Sequence, residues 1–158
     1  MTQLSAVTIR QATLDDRGAM FQIHMDAVRT LCAGCYSKDQ IHGWFEGRSP
    51  SDYSGAIEHG GDWLAVVRGE PVAFIEFFSK TISSLFVHSN FAGFGIGRKL
   101  MEYALSTMPG DDNRITLEAT LNAVTFYEKF GFKKVRDGHL RRPSGLVIEV
   151  ALMERQSG

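Results

Sequence analysis

Glycine recurs at every second position in Gly93-Phe94-Gly95-Ile96-Gly97, within a segment, Leu85 to Leu100, that runs from an apolar strand-like stretch through a loop into a helical pattern. A backbone free of side chains can approach a ligand closely and turn several N–H groups toward one point, and the following helix start adds the positive end of its dipole. That combination suits a phosphate or diphosphate. Arg98 and Lys99 in the first helical turn oppose the dipole, which makes sense where anionic ligand charge sits nearby. Two phosphate-loop readings fail on spacing. A Walker loop needs G-x-x-x-x-G-K-S/T, whereas Gly97 is followed by Arg98-Lys99-Leu100, with no hydroxyl for magnesium. A dinucleotide fingerprint needs G-x-G-x-x-G early in a βαβ unit, whereas this loop reads G-x-G-x-G and lies past mid-chain.

A second informative stretch is Leu121-Asn122-Ala123-Val124-Thr125-Phe126-Tyr127-Glu128-Lys129-Phe130-Gly131-Phe132, whose phenylalanines at helical spacing read as core. Cys32 and Cys35 form a C-x-x-C, but they fall at the end of a helical pattern, where the dipole disfavours a thiolate. Zinc would need two further ligands, and the spacings of His24 and His42 from the pair match no standard finger. The expectation is therefore two half-buried thiols and no metal.

The two regions together resemble the GNAT superfamily of N-acetyltransferases. Gly95 and Gly97 fall on the small positions of that family's acetyl-CoA loop, Q/R-x-x-G-x-G/A, while Ala92 stands where the family has Gln or Arg. The second stretch is similar to the family's N-x-x-A-x-x-F-Y-x-x-x-G-F region, with a shorter step from Asn122 to Ala123. The resemblance implies acetyl-CoA as co-substrate, direct attack by a primary amine in a ternary complex, and a role for each matched residue. Leu85, Phe86 and Val87 would pair with the pantetheine arm, the Val87 N–H polarising the thioester carbonyl. Ala92, Gly93, Phe94, Gly95, Ile96, Gly97 and Arg98 would hold the diphosphate, Asn122 the pantetheine, and the Tyr127 phenol would protonate the departing sulfur. Acetyl transfer also needs a base for the amine. Glu76, Glu118 and His88, each on or beside a strand, are candidates, and so is a water relay to one of them. Tyr36 and Trp44 are candidates for the acceptor wall.

The elements that must position these residues can be read from periodicity. A strand at Val7 to Arg10 precedes a helix from Leu14 to Leu31, capped by Thr13-Leu14-Asp15-Asp16, with Gly34 as its stop. Ser37-Lys38-Asp39-Gln40 opens a second helix that Gly47 ends. Trp63 to Val67 and Val72 to Phe78 form a hairpin about Arg68 to Pro71, and Ile82 to Val87 adds a strand. A helix about Leu100 to Met108 ends at Pro109-Gly110, then come a strand at Ile115 to Ala119, a helix at Ala123 to Phe130, and closing strands at Val135 and Leu146 to Met153. The order β-α-α-β-β-β-α-β-α-β-β argues an α+β fold, GNAT-like, with a mixed, mostly antiparallel sheet flanked by helices. One domain spanning residues 1–158 is expected.

Composition limits the alternatives. With 158 residues, 44% of them apolar, the chain can bury a core without staples. Seventeen basic against eighteen acidic residues give a net charge of −1, which offers nucleic acid no electrostatic support. No apolar run approaches a membrane span, and Met1 to Val7 lack a signal-peptide pattern, so a cytoplasmic location is expected. The expected partner is a small-molecule or peptide amine; oligomeric state is open, a homodimer included. Two other functions remain compatible with the motifs: a catalytically silent acyl-CoA sensor, which would not need Tyr127, and a redox protein using Cys32 and Cys35.

Overall fold

The computed structural model describes residues 6–108 and 114–156. Seven strands form one sheet in the order β1-β2-β3-β4-β5-β7-β6, where β1 is Val7–Gln11, β2 Asp62–Val67, β3 Glu70–Phe78, β4 Thr81–Val87, β5 Arg114–Thr120, β6 Lys133–Arg141 and β7 Val147–Gln156. All neighbours are antiparallel except β4 and β5. That parallel pair is joined only at Thr81↔Thr116 and Ile82↔Leu117, so beyond Ile82 the two strands separate and the sheet opens as a V.

Helices cover both faces. On one side α4 (Ile96–Thr107) and α5 (Val124–Glu128) bury Ile96, Leu100, Met101, Ala104 and Tyr127 against Ala65, Ile75, Leu117 and Met153. On the other, α1 (Arg17–Leu31), α2 (Lys38–Trp44) and α3 (Ser54–Glu58) pack over Leu64, Phe74 and Ile148, with α1 burying Met20, Ile23 and Val28. The apolar stripes of α1 and α4 at spacings of three and four supply these contacts.

Several boundaries differ from the sequence expectation for local reasons. The β2–β3 hairpin closes in two residues, Arg68 and Gly69, both at positive φ, so β3 begins at Glu70 and carries Pro71 opposite a bulge at Ala65/Val66. Leu14–Asp16 form a 3-10 turn before α1, and Leu121–Ala123 form another before α5. The stretch between Gly47 and Trp63, unassigned from sequence, holds the 3-10 turn Pro50–Tyr53 and α3; Ser49 and Asp52 form its capping box, with Pro50 at the first position. The helix end expected at Pro109-Gly110 lies outside the described residues, and α4 runs to Thr107.

Tyr36 and Trp44, expected at an acceptor wall, are instead part of the packing of α2 on β7. Trp44 is 3% exposed and meets the Tyr36 ring edge-on at 5.1 Å. The Tyr36 hydroxyl donates to the Glu149 carbonyl at 2.6 Å and accepts from the Leu121 N–H at 2.9 Å, so its hydrogen-bonding capacity is spent on backbone. Burial raises this phenol to about 12. Tyr36→Phe should therefore lower stability by about 1 to 3 kcal/mol, because it strands two backbone groups. Equilibrium denaturation checks this, and an unchanged midpoint would show that water replaces the hydroxyl.

Candidate active site

The V between β4 and β5 is a cleft of about 430 Å³. Its walls come from Leu85 to Val87 on β4, Phe91 to Gly93 and Gly95 to Arg98, Thr120, Asn122 and Ala123 at and after the end of β5, Phe126, Tyr127 and Lys129 about α5, and Ala27, Leu31 and Cys32 at the end of α1. Ten of the eleven residues expected to bind a cofactor line it; the exception, Phe94, points away and is 47% exposed.

Strand alternation orients the β4 edge. The His88 N–H donates to Val72 on β3, so with β3 and β4 in register over Leu85 to Val87, the N–H groups of Leu85 and Val87 face the open side. These are unpaired strand donors along one wall of the cleft. At its mouth Gly93 and Gly95 take φ of +85° and +82°, values that a side chain strains, and Gly95 caps α4. The first intrahelical bond runs from the Lys99 N–H to the Gly95 carbonyl. Four N–H groups ahead of it, those of Gly95, Ile96, Gly97 and Arg98, lack intrahelical acceptors, and all four residues line the cleft. Arg98 lies 3.7 Å from Glu102, an exposed pair of little strength.

Three neutral donors stand deeper in. Tyr127 is 5% exposed, and burial pushes its phenol well above the ordinary tyrosine range, so it keeps its proton at any working pH. Asn122 Oδ1 accepts from the Cys32 thiol at 3.2 Å, which leaves the amide donor to offer the cleft. Cys32 is raised to about 11 by burial, with Cys35 adding to the effect. Both thiols are free, Cys35 being exposed, and the expectation of two half-buried thiols gives way to one buried and one solvated. Sequence reading missed Cys32, together with Ala27, Thr120 and Lys129, as wall residues. Its available signal was the α1 stripe, in which Ala27, Leu31 and Cys32 follow Ile23 on one face.

The candidate bases are dispersed. His88 does not line the cleft: its Nδ1 accepts from the Asn90 N–H at 3.1 Å and lies 3.6 Å from Asp26, whose carboxylate holds the Ser89 N–H at 2.7 Å. Glu76, opposite Ser84, and Glu118 face the α1 side of the sheet rather than the cleft, each at a separate cavity, of about 220 Å³ and 430 Å³ respectively, with Ser83 lining both. Ser83 is the extra residue of the bulge between Ile82 and Ser84, and the bulge turns this stretch toward the gap. Among the described residues no cluster of His, Cys, Asp and Glu is disposed to hold a metal ion.

Beside Glu76 lies Asp62, opposite it in register and 0% exposed. No N–H or O–H donor of the described residues reaches either Asp62 oxygen, and its polar neighbour is the Glu76 carboxyl. Burial, reinforced by that like charge, pushes Asp62 up to about 8, so it stays protonated and donates to Glu76.

Comparison with known proteins agrees with this geometry. Residues 32–147 match the acetyltransferase (GNAT) domain. A curated relative, the uncharacterized N-acetyltransferase YafP of Escherichia coli K12, is 24% identical over 84% of this chain and 85% of its own. The peptidyl-lysine N-acetyltransferase YjaB of Salmonella typhimurium is 39% identical, but over 45% of this chain and 49% of its own. Among solved structures, a GCN5-related N-acetyltransferase from Rhodopseudomonas palustris superposes with a TM-score of 0.89 at 19% identity, covering 99% of both chains. The PaiA N-acetyltransferase of Thermoplasma acidophilum, solved in complex with coenzyme A, gives 0.76 at 19% identity over 97% of this chain and 100% of that one. The chain belongs to the GNAT family and is an acetyltransferase.

The Asp62 proton sets a pH dependence. Its folded pKa exceeds the unfolded value of 3.8, so the stability it contributes is full below that value and is lost as pH rises toward about 8. Asp62→Asn keeps a donor for Glu76 without the titration. Its advantage over wild type should widen between pH 5 and pH 8 and level off above, reaching about 2 to 4 kcal/mol by pH 9. Thermal denaturation across that range checks this, and a pH-independent difference would rule out the shared proton.

Proposed function

We propose that the protein transfers an acetyl group from acetyl-CoA to a primary amine by direct attack in a ternary complex, with residues 1–158 acting as one domain. The observation that carries this reading is the order of donors along one cleft. Open β4 N–H groups, four helix-start N–H groups and a buried protonated phenol line a single channel. The helix start and its glycines would take the diphosphate, and the β4 edge the pantetheine amides, as an added strand does. Asn122 would donate to a pantetheine carbonyl. The Val87 N–H would then polarise the thioester carbonyl where negative charge develops.

Tyr127 is the general acid in this scheme. As the tetrahedral intermediate collapses, the C–S bond breaks and the phenol proton passes to the sulfur. Glu76 or Glu118, through water, would take the amine's proton, since both stand on the α1 side of the V while the thioester is held at its edge. A silent acyl-CoA sensor would need the glycine loop but not a phenol placed in the cleft. Among the described residues no helix is long and apolar enough to cross a membrane, and the site needs none.

Two measurements test this reading. Coenzyme A at about 100 times its dissociation constant should stabilise the fold by about 2.7 kcal/mol, a melting shift of roughly 5 to 10 °C at this chain length. Gly95→Val, which places a branched side chain at φ +82°, should abolish that shift. An equal shift in the variant would place the diphosphate elsewhere.

Tyr127→Phe keeps the ring packing against Phe126 and Phe132 and removes the proton donor. Turnover should fall by about 10² to 10⁴, or roughly 3 to 5 kcal/mol of barrier, while coenzyme A affinity holds. The deficit should shrink at high pH, where the thiolate leaves without help. Wild-type turnover in the variant, with chemistry limiting, would assign the proton to another group.

A further inference from the structure

Two arginines outside the cleft are poorly explained by folding alone. Arg48 follows α2 and Arg142 lies in the β6–β7 turn, 94 residues apart in sequence but brought together on the α1 side of the sheet, where both act on His24 of α1. Their Nε atoms are both buried, and neither has a partner among the described residues. Arg142 spends one Nη2 hydrogen on the Glu46 carbonyl at 3.1 Å, while the Arg48 guanidinium stands 5.7 Å from the centre of the Phe45 ring. Each lies close enough to act on the other's charge and on His24, and the acid that opposes them there is Asp52. Two like charges and two buried N–H groups without a protein acceptor are costly, and an anion would relieve both costs.

One layer of packed rings joins these arginines to the β4 edge. Phe45 meets the His24 ring at 4.9 Å, and His24 lies against Phe86 at 4.1 Å, Phe86 being the β4 residue between the two open N–H groups. The Tyr53 hydroxyl, 2.7 Å from His24 Nδ1, accepts a hydrogen bond from the Arg48 guanidinium and is also acted on by Glu76, so it stands between the cationic loops and a candidate base. His24 itself is neutral, burial and the two guanidinium groups pushing it down to about 3. Cations at one end and a carboxylate at the other match a molecule that carries an amine and an acid. Two guanidinium groups against Asp52 leave one net positive charge, which suits a singly charged carboxylate.

We propose that Arg48 and Arg142 bind the carboxylate of the acceptor, so that the acetylated amine belongs to an amino-acid-type molecule rather than to a polyamine or a peptide lysine. This rests on the cleft being an acetyl-transfer site. The carboxylate is held at the loops by charge-assisted hydrogen bonds and the amine reaches past Tyr53 to the thioester.

The test uses the full chain and matched pairs of amines, each amino acid beside its own carboxamide, with thiol release from acetyl-CoA as the readout. Wild type should favour the acid over the amide by roughly 10- to 100-fold in kcat/KM, the range expected for charged hydrogen bonds. Arg48→Gln and Arg142→Gln should each shrink that ratio and together bring it near one, with the coenzyme A melting shift retained as proof of an intact fold and cleft. Arg→Lys at either position should restore part of it. Melting of the coenzyme A complex with N-acetyl amino acids and their amides gives a second arm that needs no turnover: the acid should stabilise wild type and not the double variant. Equal rates and equal stabilisation for acid and amide in wild type, or a preference that survives in the double variant, would overturn the proposal. Transfer to lysine peptides without an acid preference would overturn it while leaving acetyl transfer intact. Loss of the wild-type coenzyme A shift would instead strike the transfer reading itself.

Discussion

Backbone groups in a sheet interior are normally paired, because an unpaired buried N–H costs about as much as a hydrogen bond. The sheet here breaks that pairing between β4 and β5 after two residue pairs, and the consequences run through the whole molecule. A row of strand donors is opened, a helix start is placed at the end of the row, and the gap is wide enough for an extended ligand to take the place of the missing strand. The V is an incomplete sheet, and its best complement is a chain of amides with an anion at one end.

An opened sheet must be kept from closing or drifting apart, and α1 with the turn after it spans the V to do this. Asp26 takes the Ser89 N–H at 2.7 Å and its hydroxyl at 3.1 Å, fixing the loop that leaves β4. One turn and a half later Cys32 reaches Asn122, beyond the end of β5, and Tyr36 joins Leu121 to Glu149 on β7. Polar ties from a single segment thus hold both arms, while the core beneath α4 holds the joined end. The buried thiol is therefore part of the scaffold, which explains why a C-x-x-C can sit beside the site without the low pKa that redox work requires.

How much of this was legible depended on the range of each interaction. The glycine loop, the second signature and the hairpin were visible because their chemistry is local: positive φ, a capped helix and alternating apolar residues all leave a mark within a dozen positions. Ten of the eleven residues they pointed to line the cleft. Phe94 does not, since it lies between Gly93 and Gly95, both at positive φ, and its side chain is exposed. The α3 region was missed because its helical pieces are too short for a periodic stripe, although Ser49-Pro50-Ser51-Asp52 carried a start signal. Tyr36 and Trp44 looked like wall residues because aromatics beside a cleft and aromatics under a helix have the same spacing. Only the pairing of Tyr36 with backbone far along the chain separates the two, and the convergence of Arg48 with Arg142 is hidden for the same reason.

The electrostatics of the two sides of the V differ in kind, and that difference has a chemical logic. On the cofactor side the interior donors, Tyr127 and Cys32, are kept protonated by burial, and His24 behind the β4 edge is kept neutral. Negative charge enters there only with the ligand, at the helix start, where unpaired N–H groups already point. A thioester carbonyl placed against neutral donors gains most when it becomes an oxyanion, so the field is complementary to the transition state more than to the substrate. On the α1 side the polar groups belong to the protein: carboxyls at Glu76 and Glu118, the protonated Asp62 beside them, and guanidinium groups at Arg48 and Arg142. In the proposed transfer, an ammonium entering from that side would meet carboxyl groups before the thioester, and it would have to lose a proton to attack. The sheet would then separate the carboxyls that take the amine's proton from the phenol that gives one to the sulfur, and the gap between β4 and β5 would join the two sides.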